Sequence, residues 1–323
     1  MQIKLLIIVL LFNFNIYAQE KLRVGVLAYG TVNWELEVLK NNALDKKNDF
    51  ELEVVKLASK NAVAIALQSK TVDIIVSDWV WVNRQKANGK HMSFYPYSKA
   101  IGALYIQNNE NIKTLLDLKD KYIGIAGGSV DKTWILFQAY SKYKYNQDLK
   151  NIINEIYAAP PILYKKVSDK SIFGAMNFWH YNAKLDKNNI KRLIGVEEIF
   201  KEFDIKNDIP LVGWIFDTNF ANKNPKLINN FLQASYESKK LLLDSSLQWD
   251  KIRPLMKAKN DSEFDSLKEG YKKGIVKDYS QENIKSASKV FEILYKEGGE
   301  KLVGKSKTLN EDIFWNFSPN IKW

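Results

Sequence analysis

Cysteine is absent from this sequence of 323 residues, and histidine occurs only twice, as His91 and His180. A chain without cysteine can form no disulfide, no thiolate metal site, no cysteine nucleophile and no lipid-linked cysteine. Two histidines are too few for a histidine-rich metal site, so we expect neither a metal nor another cofactor. The sequence also lacks a GxGxxG turn and an HExxH pair. These absences argue against a dinucleotide-dependent enzyme and a zinc protease.

Long apolar runs are also absent after the first residues, because none approaches the roughly 18 residues that predict a membrane-spanning helix. Residues 1–18 have the pattern of an export signal, with Lys4 before an apolar segment at 5–12 and Ala18 at the expected cleavage site. That segment is too short to span a bilayer. We therefore expect cleavage near Ala18 and a periplasmic chain that does not span the membrane.

Charge is plentiful but is not concentrated in one place. The 48 Lys and Arg residues against 37 Asp and Glu give a formal net charge of +11, and lysine is spread along the whole sequence. A nucleic-acid-binding protein would place its basic residues on one element of a recognisable module, so we expect no nucleic-acid partner. The hydrophobic fraction of 46% is typical of a globular protein. About 300 mature residues exceed the size of a single core, which predicts two lobes.

Strand-like and helix-like segments alternate along the sequence, which is typical of an α/β protein with parallel strands. The predicted strands are 22–29, 50–57, 72–78, 122–128, 152–159, 171–178 and 191–196. The predicted helices between them are 33–43, 62–69, 112–118, 132–143, 161–167 and 181–185.

Two extended stretches, at 93–107 and 209–218, bracket the middle of the sequence, and everything after Asn224 is predicted to be helical. Two crossings between lobes would form a double-strand hinge. The sequence therefore predicts a discontinuous first lobe and a continuous second lobe. The first lobe consists of 19–100 and 210–323, with the C-terminal helices, and the second lobe consists of 101–209.

Five apolar runs end in polar groups and tryptophan, and six of the nine tryptophans lie in them. Ligands of open α/β sheets bind beyond the carboxyl ends of the strands, so these residues predict one shared site. Large aromatic side chains at strand ends can also seal a core, and this alternative stays open for each tryptophan. The runs are 24–34, 72–82, 122–134, 172–181 and 211–216.

Two carboxylates accompany these runs. Asp78 follows the third strand and precedes Trp79, and an acid beside indole faces is the arrangement that holds an ammonium or a polarised nitrogen heterocycle. Asp131 is predicted in the first turn of a helix that Ser129 would cap, after a glycine turn whose amides could approach a ligand. An equally good interpretation is that Asp78 and Asp131 only cap helices.

The segment ENIKTLLDLKDKYIGI at 110–125 resembles the "xxLxDLKGKxIGV" segment of type II periplasmic solute-binding proteins, and ALQSKTVDI at 66–74 is similar to their "ALxSGxVDI". The branch it resembles most includes the sulfonate, taurine, nitrate and thiamine-pyrimidine receptors of ATP-binding-cassette (ABC) importers. Lys70 and Asp120 depart from the pattern, because glycine is usual at both turns. The resemblance covers essentially the mature chain.

The resemblance implies a two-lobed α/β type II periplasmic-binding-protein fold with a double-strand hinge and a helical C-terminal region. It also implies a non-catalytic, monomeric receptor that hands a small-molecule solute to an inner-membrane ABC permease. Motif matching places the solute against Tyr29, Thr31, Asn33, Trp34, Ser77, Asp78, Trp79, Gly128 and Ser129. Further predicted ligand-binding residues are Tyr97, Asp131, Trp134, Asn177, Trp179, His180 and Trp214.

Two alternatives use the same scaffold. An enzyme of thiamine-pyrimidine synthesis resembles the chain in outline but needs a cysteine-rich motif, and a menaquinone-precursor enzyme is a second possibility of this class. Serine hydrolysis is disfavoured, because Asp131 stands where the last glycine of a GxSxG elbow would be. A sensor that signals to a membrane kinase is the other alternative, and the sequence does not distinguish it from an importer component.

Overall fold

The computed structural model describes residues 19–206 and 209–323, so the predicted export signal lies outside the described residues. The first half contains β1 (Glu20–Leu27), α1 (Val32–Asn41), α2 (Leu44–Lys47), β2 (Phe50–Leu57), α3 (Lys60–Gln68), β3 (Ile74–Asp78), α4 (Trp79–Ala87), β4 (Met92–Ser98), β5 (Ala103–Gln107), β6 (Tyr122–Ala126) and α5 (Lys132–Tyr145). The second half contains β7 (Asn154–Ala158), α6 (Pro160–Ser168), β8 (Gly174–Asn177), α7 (Trp179–Asn182), β9 (Ile190–Gly195), α8 (Val196–Glu202), β10 (Val212–Asp217), α9 (Thr218–Lys223), α10 (Pro225–Asp244), α11 (Ser246–Met256), α12 (Asp261–Lys273) and α13 (Gln281–Val303).

The strands form two five-stranded sheets. The first sheet has the order β2-β1-β3-β10-β4, and the second has the order β7-β6-β8-β5-β9. Each sheet with the helices that pack on it forms one lobe, and α9 to α12 belong to the first lobe. The two-lobed α/β fold that the sequence predicts is therefore confirmed.

The chain crosses between the sheets twice, first between β4 and β5 and again between α8 and β10. Strands β1, β2 and β3 pair in parallel, as do β6, β7 and β8. In contrast, β10 is antiparallel to β3 and β4, and β5 is antiparallel to β8 and β9. The strand that follows each crossing therefore runs against the parallel strands of its new sheet.

Most predicted segments coincide with an element, and the exceptions have local causes. The predicted helix at 112–118 is only a 3₁₀ turn at Leu116–Leu118. The Asp117 carboxylate accepts hydrogen bonds from the amides of Lys113 and Thr114, so this loop is stabilised by a side chain rather than by helical bonds. Lys70 and Asp120 both have φ of 60°, the left-handed conformation that explains why glycine is usual at these turns.

A single apolar cluster continues across both lobes. Helix α13 packs against α4 of the first lobe and against α5 of the second lobe. The indole of Trp79 in α4 lies 6.4 Å from the ring of Phe291 in α13, measured between centroids. Lys142 in α5 reaches Glu297 in α13 at 2.6 Å. The lobes are therefore connected by packing as well as by the two crossings.

An ion pair is buried in the first lobe beneath α1 and α10. The Nζ of Lys239 lies 3.0 Å from Oε1 of Glu35, and both side chains are at most 1% exposed. Glu35 also accepts hydrogen bonds from the hydroxyls of Ser235 at 2.5 Å and Tyr271 at 2.7 Å. Since both carboxylate oxygens and the ammonium have partners, the desolvation cost of burying the two charges is offset.

We expect Lys239→Met to lower the free energy of unfolding by about 3–5 kcal/mol, because the substitution leaves Glu35 as an unpaired buried charge. The double variant Glu35→Gln with Lys239→Met removes both charges and should be the more stable of the two. Urea denaturation of the three proteins measures these differences. Equal losses in the single and double variants would contradict this account of the pair.

Candidate functional site

A cavity of about 280 Å³ lies between the two lobes, beyond the carboxyl ends of β1, β3, β6 and β8. The first lobe contributes the loop after β1, the end of β3 and the start of α3. The second lobe contributes the start of α5 and the residues that follow β8. Four of the five strand ends singled out in the sequence therefore meet at one place, as the topology of an open α/β sheet requires. The fifth run, 211–216, reaches the cavity with its first residues instead, because β10 is antiparallel to β3.

Nine of the predicted ligand-binding residues line this cavity, and seven do not. The lining residues are Tyr29, Thr31, Ser77, Asp78, Tyr97, Asp131, Asn177, Trp179 and His180. The residues placed elsewhere are Asn33, Trp34, Trp79, Gly128, Ser129, Trp134 and Trp214.

Most of the tryptophans belong to the cores. Trp79, Trp134 and Trp214 are 0% exposed, and Trp34 is 4% exposed. The indole nitrogen of Trp79 donates to the carbonyl of Pro210 at 3.2 Å, and that of Trp214 donates to the hydroxyl of Ser235 at 3.2 Å. The expectation that these indoles line the cleft is corrected, because their large apolar surfaces pack under the sheets instead.

Trp179 is the exception, because it lines the cavity and also bridges the lobes. It begins α7 in the second lobe, and its ring lies edge-on to Trp34 of the first lobe with centroids 6.2 Å apart. A Cβ on Gly270 of α12 would lie 2.7 Å from the ring, so glycine is what lets the indole pack closely on this helix. Trp179 therefore contacts the first lobe from the wall of the cavity.

The two aspartates cap helices and also face the cavity. Asp78 accepts a hydrogen bond from the amide of Trp81 at 2.8 Å, and Asp131 accepts from Thr133 at 2.9 Å and Trp134 at 3.3 Å. Asp131 is thus the N-cap of α5, which corrects the expectation that Ser129 caps this helix. Ser129 is exposed and, like Gly128, lies outside the cavity, because the cap is two residues further along the chain than predicted.

Asn33 shapes the cavity without lining it. Its side-chain amide donates to the carbonyls of Leu27 at 3.0 Å and Gly30 at 3.2 Å, both in the loop after β1. These bonds hold the loop that presents Tyr29 and Thr31.

Two lysines that the sequence analysis missed also line the cavity. Lys132 of the second lobe forms an ion pair with Asp78 of the first lobe at 2.8 Å. Lys60, the first residue of α3, places its Nζ 5.0 Å from the centroid of the Phe178 ring in the second lobe. The available sequence signal is that each lysine directly follows a helix cap, Ser59 or Asp131, in the turn between a strand and a helix.

These lysines affect the two carboxyl groups differently. Burial opposes ionisation of Asp78, but Lys132, the Trp81 amide and the charge of Lys60 together outweigh it and hold the pKa of this group below its usual value. Burial raises the pKa of Asp131, and the charges of Lys132 and Lys60 with the two capped amides offset only part of that effect. Asp78 is therefore a neutralised carboxylate, whereas the charge of Asp131 is incompletely balanced.

A wider groove of about 620 Å³ lies beside the cavity and shares Ala100, Ile101 and Trp179 with it. Within the described ranges, no group of three or more metal-ligating side chains is present.

The pattern GEKLVGKS at 299–306 has the spacing of a phosphate-binding loop, but it forms the end of α13 and the turn after it. Because no strand precedes it, the strand–loop–helix cradle for phosphate is not formed there.

His180 lies at the cavity wall as an uncharged imidazole. Burial, together with the charge of Lys184, lowers its pKa to about 4. A histidine with this pKa carries no charge at neutral pH, so it adds a polar group and no cation to the cavity.

We expect His180 to make the protein less stable as the pH falls from 6.5 to 4. The unfolded chain binds a proton at this residue near pH 6.5 whereas the folded chain does not, so the folded state loses about 2 kcal/mol by pH 5. His180→Gln removes this contribution, and denaturant unfolding from pH 4.5 to pH 7 measures the difference. His91→Gln, at an exposed position, is the control, and its free energy of unfolding should change with pH as in the wild type. Identical slopes for wild type and His180→Gln would contradict the prediction.

Comparison with known proteins connects this architecture to solved structures. No family model matches the chain, and no curated protein matches it. The aliphatic sulphonate binding protein SsuA of Escherichia coli is 14% identical, with a TM-score of 0.70 over 95% of each chain. The alkanesulfonate-binding protein SsuA of Xanthomonas axonopodis pv. citri, solved with MOPS bound, is also 14% identical, with a TM-score of 0.67 over 92% of this chain and 99% of that one.

A similar match is found outside these transport proteins. A Candida albicans gene product that is described as having the generic periplasmic binding protein structural fold is 13% identical, with a TM-score of 0.57 over 86% of this chain and 90% of that one. At sequence identities this low, the structural similarity establishes the fold and does not identify the ligand. The resemblance noted in the sequence is therefore confirmed at the level of the fold: this chain has the two-lobed architecture of the periplasmic binding proteins.

Proposed function

We propose that this protein is an exported, monomeric receptor that binds a small organic solute between its lobes and delivers it to an ABC-type permease of the inner membrane. The observation that carries the proposal is the cavity at the carboxyl ends of strands from both sheets, lined by residues of both lobes. A site built by two lobes can close on its ligand by hinge motion. Similarity in fold to the sulfonate-binding proteins supports the same role.

The dimensions of the cavity suit a small guest. Its volume of about 280 Å³ is just below the range for ligand pockets, roughly 300–1,000 Å³. Apolar and aromatic walls would enclose the body of the solute, and Ser77, Asp131 and Asn177 would fix its orientation. The proposed lobe boundaries are those of the sequence analysis, 19–100 with 210–323 and 101–209.

Contacts between the lobes outside the cavity support a closing motion. One of them is the packing of the Trp179 indole on Gly270. In addition, the Nζ of Lys184 in the second lobe donates to the carbonyls of Met256 at 3.1 Å and Lys257 at 3.0 Å in the first lobe. Lys259 of the first lobe donates to the hydroxyl of Tyr164 in the second at 3.2 Å. Because these contacts are few, mostly polar and peripheral, they can form and break as the lobes move.

Among the described residues, no helix is both long and apolar enough to cross a membrane. The proposed receptor would therefore reach the permease from the periplasm, which agrees with the export signal predicted at 1–18. The enzyme of thiamine-pyrimidine synthesis remains disfavoured, because the sequence has none of the cysteines that it needs.

We expect the protein purified from the periplasm of its own host to carry one small solute per chain, which native mass spectrometry detects. Trp179→Ala should reduce the occupied fraction at least about tenfold, since the substitution removes a wall of the cavity. Trp323→Ala, at an exposed indole far along the chain, is the matched control and should retain the solute. A wild-type protein without solute, or equal retention in both variants, would count against the receptor.

We expect Gly270→Leu to favour the open form, because the new side chain occupies the space of the Trp179 indole. Leucine is the better helix former, so the variant should not weaken α12 itself. Small-angle X-ray scattering should give a larger radius of gyration than for Asp265→Leu, an exposed control on the same helix. Equal radii for the two variants would show that this contact does not hold the lobes together.

A further inference from the structure

The cavity contains two positive and two negative side chains, and each lobe supplies one of each sign. Asp78 and Lys60 come from the first lobe, and Lys132 and Asp131 come from the second. The formal charge of these four groups sums to zero. His180, the other ionisable nitrogen on the wall, is neutral. The site therefore attracts neither anions nor cations by its net charge.

Two of the four charges already neutralise each other. The Nζ of Lys132 lies 2.8 Å from Oδ2 of Asp78, and Oδ1 of Asp78 accepts the amide of Trp81. Both oxygens of this carboxylate have partners, so Asp78 offers little to a guest.

The other two charges are not joined. Within 19–206 and 209–323, Lys60 and Asp131 form no ion pair with each other or with a third residue. Asp131 uses Oδ1 for its two amide bonds, and no hydrogen bond to its Oδ2 is present among the described residues. Glycine at 127 lets this carboxylate pack closely on the turn, since a Cβ there would lie 2.5 Å from Oδ2. The Nζ of Lys60 lies over the face of Phe178 and, among the described residues, donates no hydrogen bond; its charge acts on Asp131 and Asp78 from beyond ion-pair distance. An anion receptor and a cation receptor thus lie on opposite walls.

The surroundings of the two charges suit a ligand of opposite polarity at each end. Trp179 and Tyr29 line the cavity with Asp131, and aromatic faces with a carboxylate are the usual environment of a bound cationic nitrogen. Asp131 is partly buried, and burial raises its pKa, so a cation beside it would recover free energy that the desolvated carboxylate has lost. Lys60 begins α3, where the helix dipole adds to its attraction for an anionic group.

We propose that the solute is a zwitterion, with its cationic nitrogen at Asp131 and its anionic group at Lys60. This inference rests on the proposed receptor function. A simple anion would satisfy Lys60 and be repelled by Asp131, and a simple cation would have the reverse difficulty. A zwitterion satisfies both groups, spans the two lobes and adds no net charge to the cavity.

Isothermal titration calorimetry with shape-matched probes tests the proposal. One series is glycine betaine with its anionic isostere 3,3-dimethylbutanoate and its cationic analogue choline. The other series is 3-aminopropanesulfonate with butanesulfonate and 4-aminobutanol. At least one zwitterion should bind about tenfold or more tightly than both of its singly charged analogues, which corresponds to about 1.4 kcal/mol.

Two charge-removing variants identify the groups responsible. Asp131→Asn keeps the helix cap, because asparagine caps as well as aspartate, and it should abolish the preference over the anion. Lys60→Met keeps most of the stem and should abolish the preference over the cation. Asp250→Asn and Lys251→Met, exposed neighbours on α11, are the matched controls and should leave both preferences unchanged.

Tighter binding of a singly charged analogue would overturn the proposal, as would unchanged preferences in the two variants or no binding of either zwitterion at about 10 mM, well above a weak millimolar Kd. Binding of a simple anion or cation would leave the receptor function intact and refute only the zwitterion. A wild-type protein that carries no solute in native mass spectrometry would instead refute the receptor itself.

Discussion

Hydrogen bonds that the first-turn amides of α4 and α5 donate to two aspartates place two carboxylates at the cavity. Each helix follows a strand, α4 directly and α5 after a short turn, so its exposed amides need a cap at the edge of the sheet. Asp78 and Asp131 supply that cap and place a carboxylate on each side of the cleft. The sequence left capping and ligand binding as alternatives, and the structure shows that one side chain can be placed for both. Removing either cap would alter the helix and the site together.

Much of the architecture was predictable because parallel strands share a direction. The alternation of strand and helix indicated that the ends of β1, β3, β6 and β8 would meet, and they do. The extended stretch at 93–107 was harder to interpret, because it is two strands in different sheets with a crossing between Ser98 and Ala103. Within 94–106 the polar residues are Ser98 and Lys99, which lie at the point where the chain leaves one sheet for the other.

The side chains of the site were less predictable than its location. Trp79 and Trp134 lie in the first turn of their helices, where a side chain can point either into the core or into the cleft. Both indoles are buried in the core, and the sequence alone does not distinguish the two directions. Lys60 and Lys132 were missed because lysine is abundant along the sequence and most often marks a solvated surface. Their position at the cavity becomes visible only in the folded structure, where Lys60 contacts Phe178 and Lys132 contacts Asp78, each in the opposite lobe.

The apolar cluster that joins α5 and α13 has a consequence for how the lobes can separate. Parting these two helices would bring their buried apolar side chains into water at a cost of about 25 cal/mol for each Å² of apolar surface, whereas parting the lobes at Lys184 and Lys259 breaks hydrogen bonds that water can replace. The lobes should consequently rotate about the packed helices α5 and α13, while the edge that carries Lys184 and Lys259 opens. A solute would then enter and leave the cleft at that edge only, and the proposed transport partner would have to bind there.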